Sequence, residues 1–373
     1  MLFIFRTDAS FEIGTGHVMR CLTLARALRE AGADSRFVCR SFPGNLIAFI
    51  EAQGFRVHAL PQSTNSSEET LQASDAGAVV SHSSWLGVDW AEDARQMVEK
   101  FSKTLQGKKA DWLVVDHYAL DARWERVAGD ISRRILVIDD LADRAHQCDI
   151  LLDQNIGRTS ADYRDRVNAD CTLLTGTEHA LLRPDFAAAR EASLLRRRSA
   201  PIEKMLISMG GIDKDNATGI ILQGLMHCDL PPDLAISVVM GAHAPFLKQI
   251  SQQAADMPWT TDVLTNVTDM ASLMAASDVA IGAAGSTTWE RCCLGLPSVV
   301  IGTADNQNYV LSQLLVKDIV VVGNLQELNQ NPAGLCPLID RLVQRQVEYS
   351  GNAAALGSGT GCANLVERIK CGY

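Results

Sequence analysis

Short apolar runs alternate with segments of helical periodicity along most of this chain, and this alternation constrains the fold more than any other feature. The first run, residues 2–5, is followed at 17–31 by apolar residues that recur every three or four positions. Parallel strands need helical crossovers, so the alternation predicts a doubly wound parallel sheet. In the first half, further strands are predicted at 36–39, 56–60, 112–115, 134–138, 150–152 and 172–174, with helices at 45–53, 90–105 and 122–131.

A second series of the same kind begins at residue 204. Because 373 residues are many for one hydrophobic core, we expect two Rossmann-like α/β domains that face each other across a cleft. Strands of the second domain are predicted at 204–208, 235–240, 279–281, 298–301 and 319–322, and helices at 216–227, 245–255, 269–276, 286–294, 306–316, 326–345 and 353–370.

The predicted boundaries follow from where the alternation breaks. We expect an N-terminal domain at 1–180, a linker at 181–200, a C-terminal domain at 201–350 and a C-terminal helix at 351–373. The linker contains Arg196-Arg197-Arg198, which we interpret as a solvated surface, with a phosphate clamp as the alternative.

The stretch 62–84 is rich in Ser, Thr, Asn and Gln. Such a composition predicts either a polar excursion or an extended loop over the ligand-binding edge of the sheet.

Composition excludes several classes of protein. A formal net charge of −10 argues against a broad nucleic-acid-binding surface. None of the ten cysteines has the spacing of metal ligands, so we expect free thiols in a reducing cytoplasm. The N-terminus lacks a signal-peptide pattern, and no segment approaches the ~20 apolar residues of a membrane span. We therefore expect a cytoplasmic monomer that needs no metal and no cofactor.

A glycine-rich turn separates the first strand from the first helix. Gly14 and Gly16 permit a tight turn without side chains, and His17 follows at the start of the helix. Open α/β sheets bind ligands at this carboxyl edge, where a neutral imidazole can accept a proton from water. The alternative is a histidine that caps the helix or packs beside the turn.

Acidic and aromatic residues end other strands of the first domain. Asp116-His117-Tyr118 is expected near His17 if the two strands are neighbours. Its carboxylate can orient His17 or bind sugar hydroxyls. For Asp139 and Asp140 we favour helix capping over those roles. Asp8 either contacts substrate or fixes the glycine turn.

Small residues open a helix of the second domain at 282–290. The turn Gly285-Ser286-Thr287-Thr288 exposes backbone N–H groups that suit a diphosphate. Glu290 follows in the first helical turn, where it can accept hydrogen bonds from ribose hydroxyls or simply complement the helix dipole. A similar strand-to-turn transition occurs at Gly210-Gly211, and the loop 303–308 carries amides that can reach a sugar.

These motifs resemble the UDP-sugar hydrolases of pseudaminic acid biosynthesis. The resemblance extends from Arg6 to about Gln313, and its motifs read RxD…GxGHxxR, VDHYxLD, ILVIDDxxxRxHxCDxLLDQN, ALLRPDF, SMGGxDxxN and AAGSTTWERCxLGLPSV. That family is similar in fold to the glycosyltransferase-B enzymes. Its pathway serves flagellin glycosylation, and its substrate is UDP-2,4-diacetamido-2,4,6-trideoxy-β-L-altropyranose.

The resemblance implies roles for individual residues. His17 would activate water, Tyr118 would position substrate or water, and Asn306 would contact the sugar. Glu290 would bind the ribose, and uracil would lie against backbone at 267–270. The remaining candidates for substrate contact are Asp8, Gly14, Gly16, Arg20, Gly210, Gly211, Val267, Gly285, Ser286, Thr287, Thr288 and Gln307.

The expected reaction is metal-independent, inverting hydrolysis of the anomeric C1–O bond, with UDP as the leaving group. Two alternatives stay open at this point. One is a UDP-sugar glycosyltransferase that uses another acceptor, and the other is a binding protein that turns nothing over.

Overall fold

The computed structural model describes residues 1–62, 82–197 and 201–372. These residues form two compact units: unit 1 comprises Met1–His179 together with the C-terminal residues from Ala363 onward, and unit 2 comprises Ala180–Cys362. Most of the polar stretch predicted at 62–84 lies outside the described residues. Within the described part of the chain, no helix combines the length and the apolar character that crossing a membrane requires.

Unit 1 contains a seven-stranded sheet in the order β3-β2-β1-β4-β5-β6-β7, with every neighbouring pair parallel. The strands are β1 Leu2–Thr7, β2 Asp34–Arg40, β3 Arg56–Leu60, β4 Ala110–Asp116, β5 Ser132–Ile138, β6 Ile150–Asp153 and β7 Thr172–Thr175. The helices are α1 Gly16–Glu30, α2 Ile47–Ala52, α3 Trp90–Leu105, α4 Ala122–Ala128 and α5 Ser160–Tyr163, with short 3-10 helices at Ser83–Leu86, Gly129–Ile131 and Thr177–His179.

Unit 2 contains a six-stranded parallel sheet in the order β10-β9-β8-β11-β12-β13. The strands are β8 Lys204–Ser208, β9 Ala235–Met240, β10 Thr260–Thr265, β11 Val279–Ala283, β12 Ser298–Gly302 and β13 Val321–Asn324. Its helices are α6 Pro184–Arg196, α7 Ala217–Leu225, α8 Leu247–Ala255, α9 Met270–Ala276, α10 Thr287–Cys293, α11 Asn308–Val316, α12 Leu325–Gln330, α13 Leu335–Gln344 and α14 Gln346–Ala354. Helix α15, Gly361–Lys370, follows, and 3-10 helices occupy Asp305–Gln307 and Pro332–Gly334.

Each sheet has one point at which the strand order reverses direction. In unit 1 it lies between β1 and β4, where Thr7 pairs with Asp116. In unit 2 it lies between β8 and β11, where Ser208 pairs with Gly282. Open α/β sheets bind ligands outside the carboxyl ends of the strands at such a switch point. The prediction of two parallel α/β domains is therefore confirmed, and each sheet has one such position for a site.

Unit 2 departs from the predicted elements in three places. β10 was not predicted, because an edge strand of sequence TTDVLT buries little apolar surface. The predicted linker contains α6, which begins with Pro184 in the first helical turn, where its fixed φ suits a helix. The helix predicted at 326–345 is broken near Pro332, since proline removes a backbone donor.

Of the two described arginines of the triplet, Arg196 is exposed, as the solvated-surface interpretation predicts, whereas Arg197 is buried. Arg197 is 6% exposed and donates to the carbonyls of Met274 and Ser277, which end α9. Arg196 forms an ion pair with Asp278 at 2.6 Å. Cationic side chains stabilise the carbonyl end of a helix, so Arg197 joins α6 to the end of α9, and the ion pair of Arg196 adds a second contact. Arg198 lies outside the described residues.

The expectation that all cysteines are free is wrong for one pair. Cys228 and Cys336 form a disulfide across 108 residues of sequence, with their Cα atoms 5.0 Å apart. The bond joins the segment after α7 to α13. Sequence spacing does not reveal this pair because only the packing of those two helices makes them neighbours.

Candidate active site

His17 and Asp116 form a hydrogen-bonded pair at the switch point of unit 1. The Nδ1 atom of His17 lies 2.6 Å from Oδ1 of Asp116, and the carboxylate is fully buried. A carboxylate only accepts hydrogen bonds, so Nδ1 carries a proton, and in the neutral imidazole Nε2 keeps its lone pair. The imidazole is 7% exposed. This arrangement of a histidine oriented by a buried carboxylate prepares Nε2 to accept a proton.

Arg20 joins this pair to a second carboxylate. Its guanidinium contacts both oxygens of Asp116, at 2.6 and 2.7 Å, and donates to Asp140 at 2.6 Å. Arg20 is 6% exposed, and all three guanidinium nitrogens are engaged by these carboxylates. The geometry therefore favours a role in positioning the pair over the substrate contact expected for Arg20.

Tyr118 closes this network on the other side of the imidazole. Its hydroxyl donates to Asp140 at 2.8 Å, and its ring meets the ring of His17 edge to face, with centroids 4.5 Å apart. Asn155 also donates to Asp140, at 3.1 Å. Asp140 thus holds three groups together. The capping role favoured for it is wrong, since no helix begins there.

The charges of this network are set by burial and pairing. Burial alone would raise the pKa of Asp116, but Arg20 and His17 hold that pKa well below its usual range. Burial and the neighbouring Asp140 raise the pKa of Tyr118 well above its ordinary value. Asp116 is therefore ionised and the Tyr118 hydroxyl keeps its proton at neutral pH.

Two other acidic residues at strand ends serve the fold of unit 1. Asp8 is fully buried, pairs with Arg6 at 2.7 Å and accepts from the backbone N–H of Arg40 at 2.6 Å. It ties the end of β1 to β2, which leaves it no surface for a substrate. Asp139 also does not cap a helix: it accepts from the N–H of Ala142 at 2.8 Å and pairs with Arg144.

The glycine turn before α1 has the predicted geometry. Gly14 has a φ of +81°, which favours glycine, and its N–H donates to the Ser10 carbonyl at 2.9 Å. A Cβ atom added at Gly14 or Gly16 would meet no atom within 4 Å. The side chain of Thr15, the N-cap of α1, makes no capping bond, and the first turn holds no acidic residue. Open space therefore borders the backbone beside His17.

Two aromatic residues beside Tyr118 were missed by the sequence analysis. The ring centroids of His82 and Trp85 lie 5.4 and 5.8 Å from that of Tyr118, and 4.4 Å from each other. Both side chains are partly exposed. His82 lies at the end of the polar stretch 62–84 and Trp85 directly follows it, and an isolated Trp after serines gives no periodic signal.

In unit 2, the turn between β11 and α10 lies at the switch point. Gly285 is exposed, and a Cβ atom there would meet nothing within 4 Å. Ser286 and Thr287 are partly exposed, whereas the Thr288 side chain is buried and points back towards the carbonyl of Ala283. The side chain of Ser286, the N-cap residue, makes no capping hydrogen bond. The backbone at this turn is therefore accessible.

Arg291 lies buried directly behind this turn. Its guanidinium donates to the hydroxyls of Thr287 and Thr288 at 3.2 and 3.1 Å and to the Ala283 carbonyl at 3.0 Å. It is 2% exposed and forms no ion pair with a carboxylate of the described residues. Burial lowers its pKa to about 10. A Cβ atom at Gly282 would lie 2.4 Å from it, so that glycine is required for space.

Glu290 is partly exposed in the first turn of α10. Burial raises the pKa of its carboxyl to about 7, although Arg183 and Arg291 act in the opposite direction. Arg183 also donates to the Thr268 carbonyl at 2.9 Å, in the segment that contains Val267. Arg183 thus contacts the segment expected to hold uracil, and its charge acts on the carboxyl expected to bind the ribose. Arg183 lies in the motif ALLRPDF, but the sequence predicted no role for its side chain.

The turn after β8 is only partly available to a ligand. Gly210 and Gly211 are exposed, and Gly210 has a φ of +101°. The N–H groups of Ala217 and Thr218 at the start of α7, however, donate to the carboxylate of Asp213 at 2.8 and 2.9 Å. That helix end is therefore already capped by the protein.

Asn306 and Gln307 follow β12 in a 3-10 helix. Asn306 is exposed, while the side-chain oxygen of Gln307 accepts from the N–H of Thr303 at 2.9 Å. A cavity of about 890 Å³ opens beside this loop, between it and α12. Its charged lining residues are the acidic Asp215, Asp305 and Glu327, so it does not suit a diphosphate.

Among residues 1–62, 82–197 and 201–372, no group of three or more His, Cys, Asp or Glu side chains is placed to hold a metal ion. The expectation of a metal-independent reaction stays a prediction.

Comparison with solved structures defines the class of fold. The superposition with MurG from Acinetobacter baumannii covers 99% of this chain and 99% of that chain, with a TM-score of 0.62 at 15% sequence identity. The superposition with the calicheamicin glycosyltransferase CalG4 covers 99% of this chain and 97% of that chain, with a TM-score of 0.60 at 13% sequence identity. The protein therefore has the glycosyltransferase-B fold.

Comparison with curated sequences is more specific. The chain is similar to the UDP-2,4-diacetamido-2,4,6-trideoxy-beta-L-altropyranose hydrolase of Campylobacter jejuni, with 26% identity over 85% of this chain and 97% of that protein. This confirms the resemblance derived from the motifs. The spore coat polysaccharide biosynthesis protein SpsG of Bacillus subtilis is 24% identical over 80% of the chain and 77% of that protein.

A third relative is an uncharacterized protein of Methanocaldococcus jannaschii, 23% identical over 79% of this chain. The chain spans about half of that protein, 54% of its length. No family model matches the chain.

Proposed function

We propose that this protein hydrolyses the anomeric C1–O bond of UDP-2,4-diacetamido-2,4,6-trideoxy-β-L-altropyranose and releases UDP and the free sugar. The similarity to the Campylobacter jejuni hydrolase over 97% of that protein's length supports this substrate. The observation that carries the proposal is the His17–Asp116 pair, at 2.6 Å, at the switch point of unit 1. A glycosyl hydrolase needs a base for water, and the pair provides one.

In the proposed mechanism, Nε2 of His17 takes a proton from water as the water oxygen attacks C1. The C1–O bond to the diphosphate breaks with its electron pair, and the sugar passes through an oxocarbenium-like transition state. Attack from the face opposite the leaving group inverts the anomeric centre. Asp116 stabilises the imidazolium that forms, and the proton then passes to solvent.

The proposed role of unit 2 is to bind UDP and to stabilise the departing diphosphate. The open turn offers the backbone N–H groups of Ser286 and Thr287, since those of Gly285 and Thr288 donate to the carbonyls of Ala283 and Gly285. The buried guanidinium of Arg291 adds a positive charge behind the turn. Glu290 accepts hydrogen bonds from the ribose, and uracil lies against the segment at 267–270. Asn306, which is exposed, contacts the sugar. UDP is a good leaving group, so no general acid is required.

Incubation of the protein with the UDP-sugar and no acceptor tests this proposal. Proton NMR should show free diacetamido-trideoxy sugar at catalytic rates, appearing first as the anomer opposite to that of the substrate. A glycosyltransferase would leave the UDP-sugar intact until an acceptor is added. A protein that binds UDP and turns over no UDP-sugar of a panel would also refute the proposal.

A further inference from the structure

We propose that the rings of His82 and Trp85 form an aromatic wall that binds the apolar face of the sugar beside His17. The inference rests on the proposed function, because the occupant it names is the sugar of the UDP-sugar. It assigns substrate contact to two residues outside the sequence motifs.

The wall is continuous with the catalytic pair. The ring of Tyr118 meets His17 edge to face at 4.5 Å and stacks on Trp85 with an interplanar angle of 25°. The ring of His82 packs against both, with its centroid 4.4 Å from that of Trp85 and 5.4 Å from that of Tyr118. Tyr118 is 9% exposed, whereas His82 and Trp85 are partly exposed. The exposed aromatic surface of this cluster is therefore supplied by the two outer residues.

The indole ring of Trp85 is oriented by a hydrogen bond. Its indole Nε1–H donates to the carboxylate of Glu12 at 3.0 Å, and Glu12 lies in the loop between β1 and α1. The same loop contains the glycine turn that leads to His17. Trp85 and the candidate base are thus connected through one short segment of backbone.

The chemistry of the wall matches one class of ligand. His82 stays uncharged at neutral pH, because burial lowers its pKa. Neutral aromatic faces bind C–H groups, and partly exposed aromatic residues with a polar edge are typical of small-molecule sites. A 6-deoxy sugar with two acetamido groups presents three methyl groups. A ring with a hydroxymethyl group and a single acetamido group presents fewer.

Substitution of Trp85 tests the wall. In Trp85→Leu, which keeps an apolar side chain, the KM for the diacetamido-trideoxy UDP-sugar should rise about three- to tenfold, the range expected for loss of one aromatic contact. The dissociation constant for UDP alone should not change. Trp85→Phe, which keeps an aromatic face, should restore KM to within about twofold of the unaltered protein. Trp90→Leu is the matched control, since Trp90 is also partly exposed and contacts Arg123 instead.

The outcomes separate the wall from the proposed function. If the protein hydrolyses the UDP-sugar and Trp85→Leu has the same KM as Trp90→Leu, the wall is refuted and the hydrolase stands. If the unaltered protein releases no sugar, binding of the free diacetamido-trideoxy sugar to the UDP-saturated protein is followed by saturation-transfer NMR. Loss of that signal in Trp85→Leu alone would support the wall, and equal signals in both variants would refute it.

Discussion

The two candidate sites lie at equivalent positions of their sheets but are built in opposite ways. In unit 1, the reactive groups are side chains whose polar atoms are already bound to one another: His17 to Asp116, Arg20 to both Asp116 and Asp140. In unit 2, the turn at Gly285 is open, and Glu290 carries a carboxyl whose pKa is raised to about 7 by burial. The polar side-chain atoms of the first site are thus paired within the protein, whereas the backbone of the second site is open to a ligand.

This difference is consistent with the proposed division of roles between the two units. A base must be held in one tautomer and one orientation before the reaction, which explains the dense network around His17. A nucleotide brings its own charges and hydroxyls, so its site needs accessible backbone and a cation behind it. We therefore expect substitutions of His17 and Asp116 to lower kcat, and substitution of Glu290 to weaken UDP binding.

The largest effect is expected from His17→Ala. Loss of the general base should lower kcat by about 10²–10⁴-fold, because water is no longer activated. The dissociation constant for UDP, measured by calorimetry, should stay within about twofold. A variant with near-normal kcat would contradict the assignment of the base, and a large loss of UDP affinity would contradict the division between units.

Asp116→Asn should have the next largest effect. The amide lacks the charge that orients and stabilises His17, so we expect kcat to fall by at least about a hundredfold, within the ~10²–10⁴-fold that a general base supplies. The variant also leaves Arg20 with one buried partner fewer, and we expect a loss of about 3–5 kcal/mol in the free energy of unfolding. Denaturation measured with urea gives that value, and assays are run well below the midpoint. Asp34→Asn, at an exposed ion pair with Arg36, is the control and should change neither quantity.

A smaller effect is expected from pH on UDP binding. The pKa of Glu290 is raised to about 7, so its carboxyl is protonated below that pH and loses acceptor capacity. The UDP dissociation constant should therefore be about tenfold higher at pH 6 than at pH 8 through this group. UDP itself also titrates in this range, and Glu290→Gln removes only the contribution of the protein. If the variant and the unaltered protein show the same pH dependence, Glu290 does not bind the ribose as a carboxylate.

The smallest expected effect is that of chelation. Since the proposed diphosphate stabilisation uses backbone N–H groups and Arg291, excess EDTA should leave kcat unchanged. Loss of activity that Mg²⁺ restores would show that the site in unit 2 is incomplete without a metal. Arg291→Gln in the presence and absence of Mg²⁺ would then show whether a metal replaces the guanidinium.

Much of the fold could be predicted because strands buried on both faces give continuous apolar runs. The bounds of β3, β8 and β9 agree residue for residue with the prediction. β10 was missed because an edge strand has little apolar signal, and α6 because a charged helix resembles a linker. The disulfide between Cys228 and Cys336 depends on tertiary packing alone.

The candidate site was predictable in part for the same physical reason. His17 lies at the start of α1, which follows β1, and Asp116 ends β4. Because β1 and β4 are neighbours in the predicted kind of sheet, the proximity of the two residues could be anticipated. Asp140, Arg20 and Arg183 act through contacts that no spacing encodes. His82 and Trp85 lie at the end of a polar stretch, and only the packing of their rings on Tyr118 shows that they belong to the site.

The fate of the water oxygen tests the central claim most directly. In ¹⁸O-labelled water, attack at C1 places the label in the free sugar, and phosphorus NMR should show released UDP whose β-phosphate carries no heavy oxygen. Heavy oxygen in the β-phosphate would mean that water attacks phosphorus, and it would contradict a mechanism in which His17 directs water to the anomeric carbon.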